Sequence, residues 1–462
     1  MISRLLVKKP VGHQHAPSEL HRSLSCLDLT LMGIGAIIGA GVFVLTGVAA
    51  ATQAGPGIIL AYLLAGLAAM FAALSYAELA ASVGGTGSAY SYAYAGFGEL
   101  IAWMIGWDLL LEYSMSVSTV AIGWSGYVTN FFTAIHLELP RAFTTNPFNG
   151  GYFDVPAAGI IFLLGMLLCL GVKHSARINA VVVCIKLLTI AFFILVASFN
   201  VNTANWHPFL PFGMHGVMTG AALVFFAYIG FDALSTAVEE AIDPQRNIPI
   251  AIIVSLIVCT ILYIVVSALL TGINHYTQLD VESPVAQSLL NLGYNKSASV
   301  IAVGAIASLT TVMLVMYYGL TRICLAMARD GLMPKILAHV NPQTHTPMRI
   351  IFFMAILMAL VAGLTPIDHA AQLVNIGTLM AFIFVCGGVV VMRVTHKDLH
   401  RPFKLPYSPL IPAMGILTCL YLTVYLSSVT WISFVIWTTI GIGVYFSYGF
   451  RHSVNQRKPT KK

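Results

Sequence analysis

Along most of its length the chain alternates long apolar windows with short polar connections. A helix that crosses a bilayer needs about 20 mostly apolar residues. Windows of that kind fall at 28–50, 56–80, 98–128, 155–172, 178–199, 216–238, 248–272, 297–328, 348–365, 370–392, 409–428 and 431–450. The remaining stretches, termini included, are roughly 25 residues or shorter. They leave no room for a sizeable soluble domain, and the pattern predicts an all-α polytopic membrane protein of twelve spans.

Two windows carry an internal interruption. The first, Leu31-Met-Gly-Ile-Gly-Ala-Ile-Ile-Gly-Ala-Gly-Val-Phe43, places Gly33, Gly35, Gly39 and Gly41 within nine residues. Glycine costs a helix up to about 1 kcal/mol per position relative to alanine, so local unwinding there is cheap. Unwinding in lipid frees N–H and C=O groups that must find partners, and transporters use such groups to hold a ligand's charged ends. The same glycines also fit close helix packing, since Gly35 and Gly39 have the GxxxG spacing. The sixth window, Phe225-Phe-Ala-Tyr-Ile-Gly-Phe-Asp-Ala-Leu-Ser-Thr-Ala-Val-Glu-Glu240, has Gly230 at its middle and Asp232 two residues later. A carboxylate at that depth faces the bundle interior or a water-filled cavity, or it caps a second half-helix. Both readings require a break. Windows one and six are an odd number of spans apart and so run in opposite directions, which is the signature of an inverted-topology repeat with a midplane site. A six-plus-six architecture predicts neither interruption.

Composition agrees: of 462 residues 58% are hydrophobic and only 9% charged, and the mean hydropathy is +0.87. A soluble domain carries about 25% charged residues. The pI near 8.9 would suit a nucleic-acid binder, but the basic residues sort by membrane side. Of 23 Lys and Arg, 20 fall on the side of the N-terminus, Arg141 and Lys296 fall on the other, and Lys186 lies within a span. The positive-inside rule then places both termini in the cytoplasm. The polar, basic N-terminus lacks the architecture of a cleaved signal peptide. Seven cysteines without CxxC spacing imply no disulfide framework, the histidines form no HExxH pattern, and no Walker A sequence appears. No metal and no cofactor is called for, and no reactive constellation marks an enzyme.

Several segments together carry a resemblance. Gly33-Ile-Gly-Ala-Ile-Ile-Gly-Ala-Gly-Val-Phe-Val-Leu-Thr-Gly47, Ser75-Tyr-Ala-Glu-Leu79, Phe226-Ala-Tyr-Ile-Gly-Phe-Asp232, Glu239-Glu240 with Asn247-Ile-Pro249, and Ala328-Arg-Asp-Gly-Leu-Met-Pro334 resemble the amino acid–polyamine–organocation superfamily. Within it, the chain resembles bacterial members of the cationic amino acid transporter family. The resemblance implies a LeuT-type fold: a ten-helix core over 28–392, with one repeat at about 28–199 and its inverted partner at about 216–392. Peripheral helices would follow at 393–450, between cytoplasmic segments 1–27 and 451–462. It implies a secondary active transporter of L-amino acids in the cytoplasmic (inner) membrane. The substrate carboxylate would meet N–H groups of Ala40 and Gly41, within the break Ile37, Ile38, Gly39, Ala40 and Gly41. The ammonium would meet carbonyls near Ile37 and around Phe226, Ala227 and Ile229, with Phe226 as an aromatic gate. Many relatives have Gly-Ser-Gly or Gly-Thr-Gly where this chain has Gly39-Ala40-Gly41, so one side-chain donor is missing here.

Lys186, in the otherwise apolar fifth window, sits about 12 Å in from the cytoplasmic end at 1.5 Å per residue. A lysine there is costly unless it snorkels back to the interface. In similar chains a lysine at this place substitutes for sodium, and it would contact carbonyls near Gly33 and Gly35. The reading that follows is sodium-independent, proton-coupled symport. An exchanger of amino acids or polyamines with a permanently charged structural lysine is the alternative, and a membrane amino-acid sensor is the alternative from another class.

Glu112 in the third window either faces a basic substrate side chain or bonds a neighbouring helix, and Asp108 lies on the same face four residues earlier. Asp232 and Met316 are further candidates for the site, as are Ser308, Thr310 and Thr311, for which helix packing is an equal reading. Glu78, Glu239, Glu240, Arg322 and Arg329 sit near the cytoplasmic ends of spans and form either a gate of ion pairs or ordinary anchors. The partners expected are an amino-acid substrate, a proton and the lipid bilayer, and no nucleic acid.

Overall fold

The structure is a computed structural model, which describes residues 24–83, 89–134, 137, 139–170, 176–237, 241–344 and 346–454. Among the described residues the fold is helical throughout, with one isolated bridge joining Leu24 to Ala241. Segment 1 comprises Cys26–Ile37 and, past a break, helical turns from Gly41–Leu45 to Ala50–Ala54. Segment 2 is Ile58–Val83, segment 3 Glu99–Ala134, segment 4 Val155–Cys169 and segment 5 Ala176–Ser198. Segment 6 runs from Gly213–Val224 through the short turn Phe225–Tyr228 and resumes at Phe231–Ala237. Segment 7 is Pro244–Ile273, segment 8 Asn295–Arg329, segment 9 Met348–Leu364, segment 10 Ile367–Thr395, segment 11 Leu410–Val424 and segment 12 Ser428–Val444. Their order follows the twelve apolar windows.

Local chemistry sets the ends. Ser25 and Asp28 form a reciprocal capping box at the start of segment 1, the hydroxyl donating to the carboxylate at 2.6 Å, which satisfies N–H groups that a helix start leaves open. Asp154 caps segment 4 through the Ala157 N–H at 3.0 Å, and Ser427 caps segment 12 through Thr430. Between segments 1 and 2 the chain turns at Gly55-Pro56-Gly57, where Gly55 has φ +60°.

Two short helices, Ala89–Gly96 and Pro284–Asn291, lie in connections too brief or too polar to register as windows. Segment 7 packs along segments 1 and 2, segment 3 along segments 8 and 10, and segment 4 against segment 9. Large apolar side chains such as Leu163, Leu188, Leu357, Leu417 and Ile432 point outward, as lipid-facing surfaces require. The broken segments 1 and 6 thus sit inside the bundle, walled by segments 2, 3, 7, 8 and 10.

Candidate functional site

In segment 1 the helix stops at Ile37, Ile38 is extended (φ −73°, ψ 105°), and helical backbone resumes with Ala40 as the cap of the next turn. In segment 6 Ile229 is extended (φ −67°, ψ 139°) and Gly230 takes φ +118°, a conformation side chains rarely allow. The breaks press on one another. A Cβ added at Gly41 would strike the Ala227 backbone, and one at Gly230 would lie 2.7 Å from the Ala36 carbonyl oxygen. Both readings of the glycine run are therefore partly true. Gly33 and Gly39 serve packing, against Leu234 and Ser255 and against Val312 respectively, while Gly41 lets the two breaks meet.

Carbonyls at and beside the breaks accept from side chains of other segments. Lys186, only 1% exposed, directs its Nζ to Gly35 O at 2.6 Å and Ile38 O at 3.3 Å. Ser308 also reaches Ile38 O, at 3.5 Å. The Tyr263 hydroxyl lies 3.0 Å from Ile37 O and 2.9 Å from Ala227 O, bridging the breaks from segment 7. Tyr62 donates to Gly41 O at 3.0 Å, Tyr127 to Phe43 O at 2.7 Å, and Asn375 to Ala222 O and Leu223 O at 2.7 and 2.9 Å. Near the turn of Gly39, Ala40 and Gly41 the restarted helix leaves its first N–H groups without intrahelical partners. The positive end of its dipole lies there too, so this edge is suited to an anion.

Those groups border a small cavity. Ile37, Gly39, Ala40 and Gly41 form one wall with Ala36; Phe226 and Ile229 form a second; Ser116 and Val120 of segment 3 and Val312 and Met316 of segment 8 complete it. Ile38 and Ala227 back the cavity through carbonyls held by Lys186 and Tyr263. Glu112 and Asp232 do not line it. Asp232 accepts from the Tyr113 hydroxyl at 2.9 Å, and Glu112 is buried one helical turn before Ser116, with one carboxylate oxygen unpartnered. Gly33 lies two residues before Gly35, the first of the two residues whose carbonyls Lys186 reaches. Thr310 accepts the Trp124 indole N–H at 2.9 Å, and Thr311 bonds Ser308 O at 2.8 Å.

Sequence reasoning missed Ser116, Val120, Val312, Tyr62 and Tyr263. Only the tyrosines carried any signal, as polar-tipped side chains deep in apolar windows.

Near the ends of the segments, where the sequence allowed either a gate of ion pairs or ordinary anchors, the described residues give Glu78 partners other than Arg322 and Arg329. Glu78, 2% exposed, is gripped by Arg393 (Nε at 2.9 Å), with Arg401 at 3.7 Å and the Leu405 N–H at 2.8 Å. Arg322 instead lies over the Tyr318 ring at 4.3 Å and is exposed, and Arg329 is exposed. A buried carboxylate recruits the nearest guanidinium that can desolvate with it, and that one comes from segment 10. Glu239 and Glu240 lie outside the described residues. Cys169, Cys259, Cys324, Cys386 and Cys419 are buried free thiols.

Comparison with known proteins agrees with this architecture. Residues 24–448 match the amino acid permease family. The chain is 48% identical over 440 residues to a branched-chain amino acid permease of Bacillus subtilis, covering 94% of each chain. It is 46% identical over 458 residues to a methylthioribose transporter of the same organism, covering 98% of this chain and 99% of that one. It is also 32% identical to the human cationic amino acid transporter 4, covering 97% and 91%. These relatives are transporters rather than enzymes. Broken helices meeting at a small cavity, in an all-α polytopic fold matched over nearly its whole length, place this chain in the amino acid permease family of the amino acid–polyamine–organocation superfamily.

Proposed function

We propose that the chain is a sodium-independent, proton-coupled symporter of neutral L-amino acids in the cytoplasmic membrane, with both termini in the cytoplasm. The observation that carries the reading is the lysine. Lys186 places its Nζ on two carbonyls of the unwound turn that also borders the cavity, which is where a coupling cation is useful to a broken-helix transporter. Its acceptors are backbone oxygens, with no described carboxylate paired to it. Loss of its proton removes the charge that strengthens the bonds to Gly35 O and Ile38 O, and that weakening couples protonation to the geometry of the substrate turn.

The substrate's carboxylate meets the N–H edge at Ala40 and Gly41, its ammonium the carbonyls near Ile37 and in segment 6, and Phe226 closes over it. Val120, Val312, Met316 and Ile229 favour an apolar side chain, in keeping with the branched-chain permease among the relatives. Residues 28–199 and 216–392 are the two inverted repeats in this reading. The rival is an exchanger in which Lys186 is a permanently charged strut, a role its two carbonyl acceptors also fit.

Uptake of labelled valine into proteoliposomes with an imposed pH gradient separates the two. The symporter accumulates substrate only with the gradient, and Lys186→Ala abolishes accumulation while the protein still purifies as a monodisperse species. Uptake indifferent to the gradient sinks proton coupling. Accumulation retained by Lys186→Ala sinks the assignment of the residue.

A further inference from the structure

Segment 3 is rich in hydroxyls, and most of them are spent on its own backbone. Ser114 donates to Leu110 O at 2.6 Å, Ser118 to Ser114 O at 3.0 Å and Thr119 to Met115 O at 2.8 Å. Ser116 and Thr129 break the habit with unpartnered hydroxyls, and of the two only Ser116 is part of the cavity wall. It is 3% exposed, its Oγ has no hydrogen-bond partner, and it lines the cavity. It is also the single polar side chain in the cavity wall, whose other residues are glycine, alanine, aliphatic, methionine or phenylalanine. A buried hydroxyl left unpaired is costly, so this exception points to a ligand atom.

We propose that Ser116 reads the substrate's side chain, donating to or accepting from a hydroxyl on its β-carbon. Small hydroxy amino acids are then carried alongside aliphatic ones of the same shape. This rests on the cavity being the amino-acid site. In that site the two breaks claim the carboxylate and ammonium, and what remains of the ligand faces segments 3 and 8. When the ligand has no polar atom, a serine in a helix can turn to the carbonyl four residues back, here that of Glu112. An aliphatic substrate therefore does not strand the hydroxyl, and discrimination stays modest, unlike sites whose polar groups have no second partner.

Threonine and valine are near-isosteres that differ in this one group. Unlabelled L-threonine and L-valine are titrated against labelled L-valine in proteoliposomes holding the full chain, and the ratio of their half-inhibition concentrations is read. Ser116→Ala is expected to raise the threonine-to-valine ratio about 3–10-fold, the worth of one neutral hydrogen bond. Ser116→Cys, with a weaker donor, falls between. Ser118→Ala, whose wild-type hydroxyl is bound to Ser114 O and Met358 O, leaves the ratio at the wild-type value. A ratio unmoved by Ser116→Ala, or moved equally by Ser118→Ala, overturns the proposal and assigns the hydroxyl to water or to packing. If neither amino acid competes in the wild type, the proposal falls together with the reading of the cavity. If both compete and the ratio does not move, it falls alone.

Discussion

At the scale of single residues, the positions that matter most are those where an added atom has nowhere to go. Gly230 combines φ +118° with an Ala36 carbonyl 2.7 Å from where a Cβ would sit. Gly150 has φ +87° in a loop with nothing within 4 Å of that place. Strain from a left-handed backbone alone is about 1–2 kcal/mol for a non-glycine residue. Gly150→Ala therefore lowers the melting temperature in detergent slightly and spares uptake. Gly230→Ala adds the collision, lowers it several degrees further, and separates the two breaks, with uptake falling at least tenfold. The glycines and Lys186 stood out because such residues are conspicuous in an apolar window; Asp232 stood out as well, yet it bonds Tyr113 and does not line the cavity. Ser116 did not: serine is ordinary in membrane helices, and only the absence of a partner distinguishes it from Ser114 and Ser118. Glu112 was conspicuous for the same reason as Lys186 and shares the helical face of Ser116, yet it stands one turn, about 6 Å, off the cavity, so depth along the helix separates it from the site.

At the scale of elements, the breaks fell where glycine made unwinding cheap. Their exact residues depend on side chains from other segments. The extended residue is Ile38, not one of the four glycines, and its carbonyl is held by Lys186 from segment 5 and Ser308 from segment 8. No local pattern encodes that, because the partners lie some 150 residues away and farther. The same holds for the clasp on Glu78, which ties segment 2 to segment 10 and to the Leu405 backbone. Glu78→Gln keeps an acceptor for the Leu405 N–H but leaves Arg393 and Arg401 without their counter-charge. The expected cost is about 1–3 kcal/mol, read as a lower thermal midpoint. Limited proteolysis of the connection after segment 10 is expected to speed up with it.

At the scale of the whole molecule, the twelve helical segments followed from hydropathy and the two interruptions from glycine, because lipid permits few alternatives; among the described residues eight helices are long and apolar enough to cross a membrane. The helices Ala89–Gly96 and Pro284–Asn291 escaped notice because connections are free of that constraint. One connection gives the fold a pH dependence. Burial pushes Asp154 up to about 7, against the hydrogen bonds from Ser125 and the Ala157 N–H, with nearby Glu282 adding to the rise. The folded state therefore binds a proton that the unfolded chain releases near pH 3.8, and stability falls as pH rises from that value through about 7. Asp154→Asn flattens this part of the curve, so its melting temperature changes less between pH 5 and 8 than that of the wild type. A variant as pH-sensitive as its parent refutes the assignment. Segment 12 holds a last consequence. Trp107 and Trp437 stack at 4.5 Å with ring planes 20° apart, each indole N–H donating to the other residue's carbonyl, while Trp103 stacks on Trp107 and bonds Gly441 O. Indoles this close couple their electronic transitions, so the protein carries its own chiroptical label for the docking of its last helix: a near-ultraviolet dichroism signal that vanishes when segment 12 peels from segment 3.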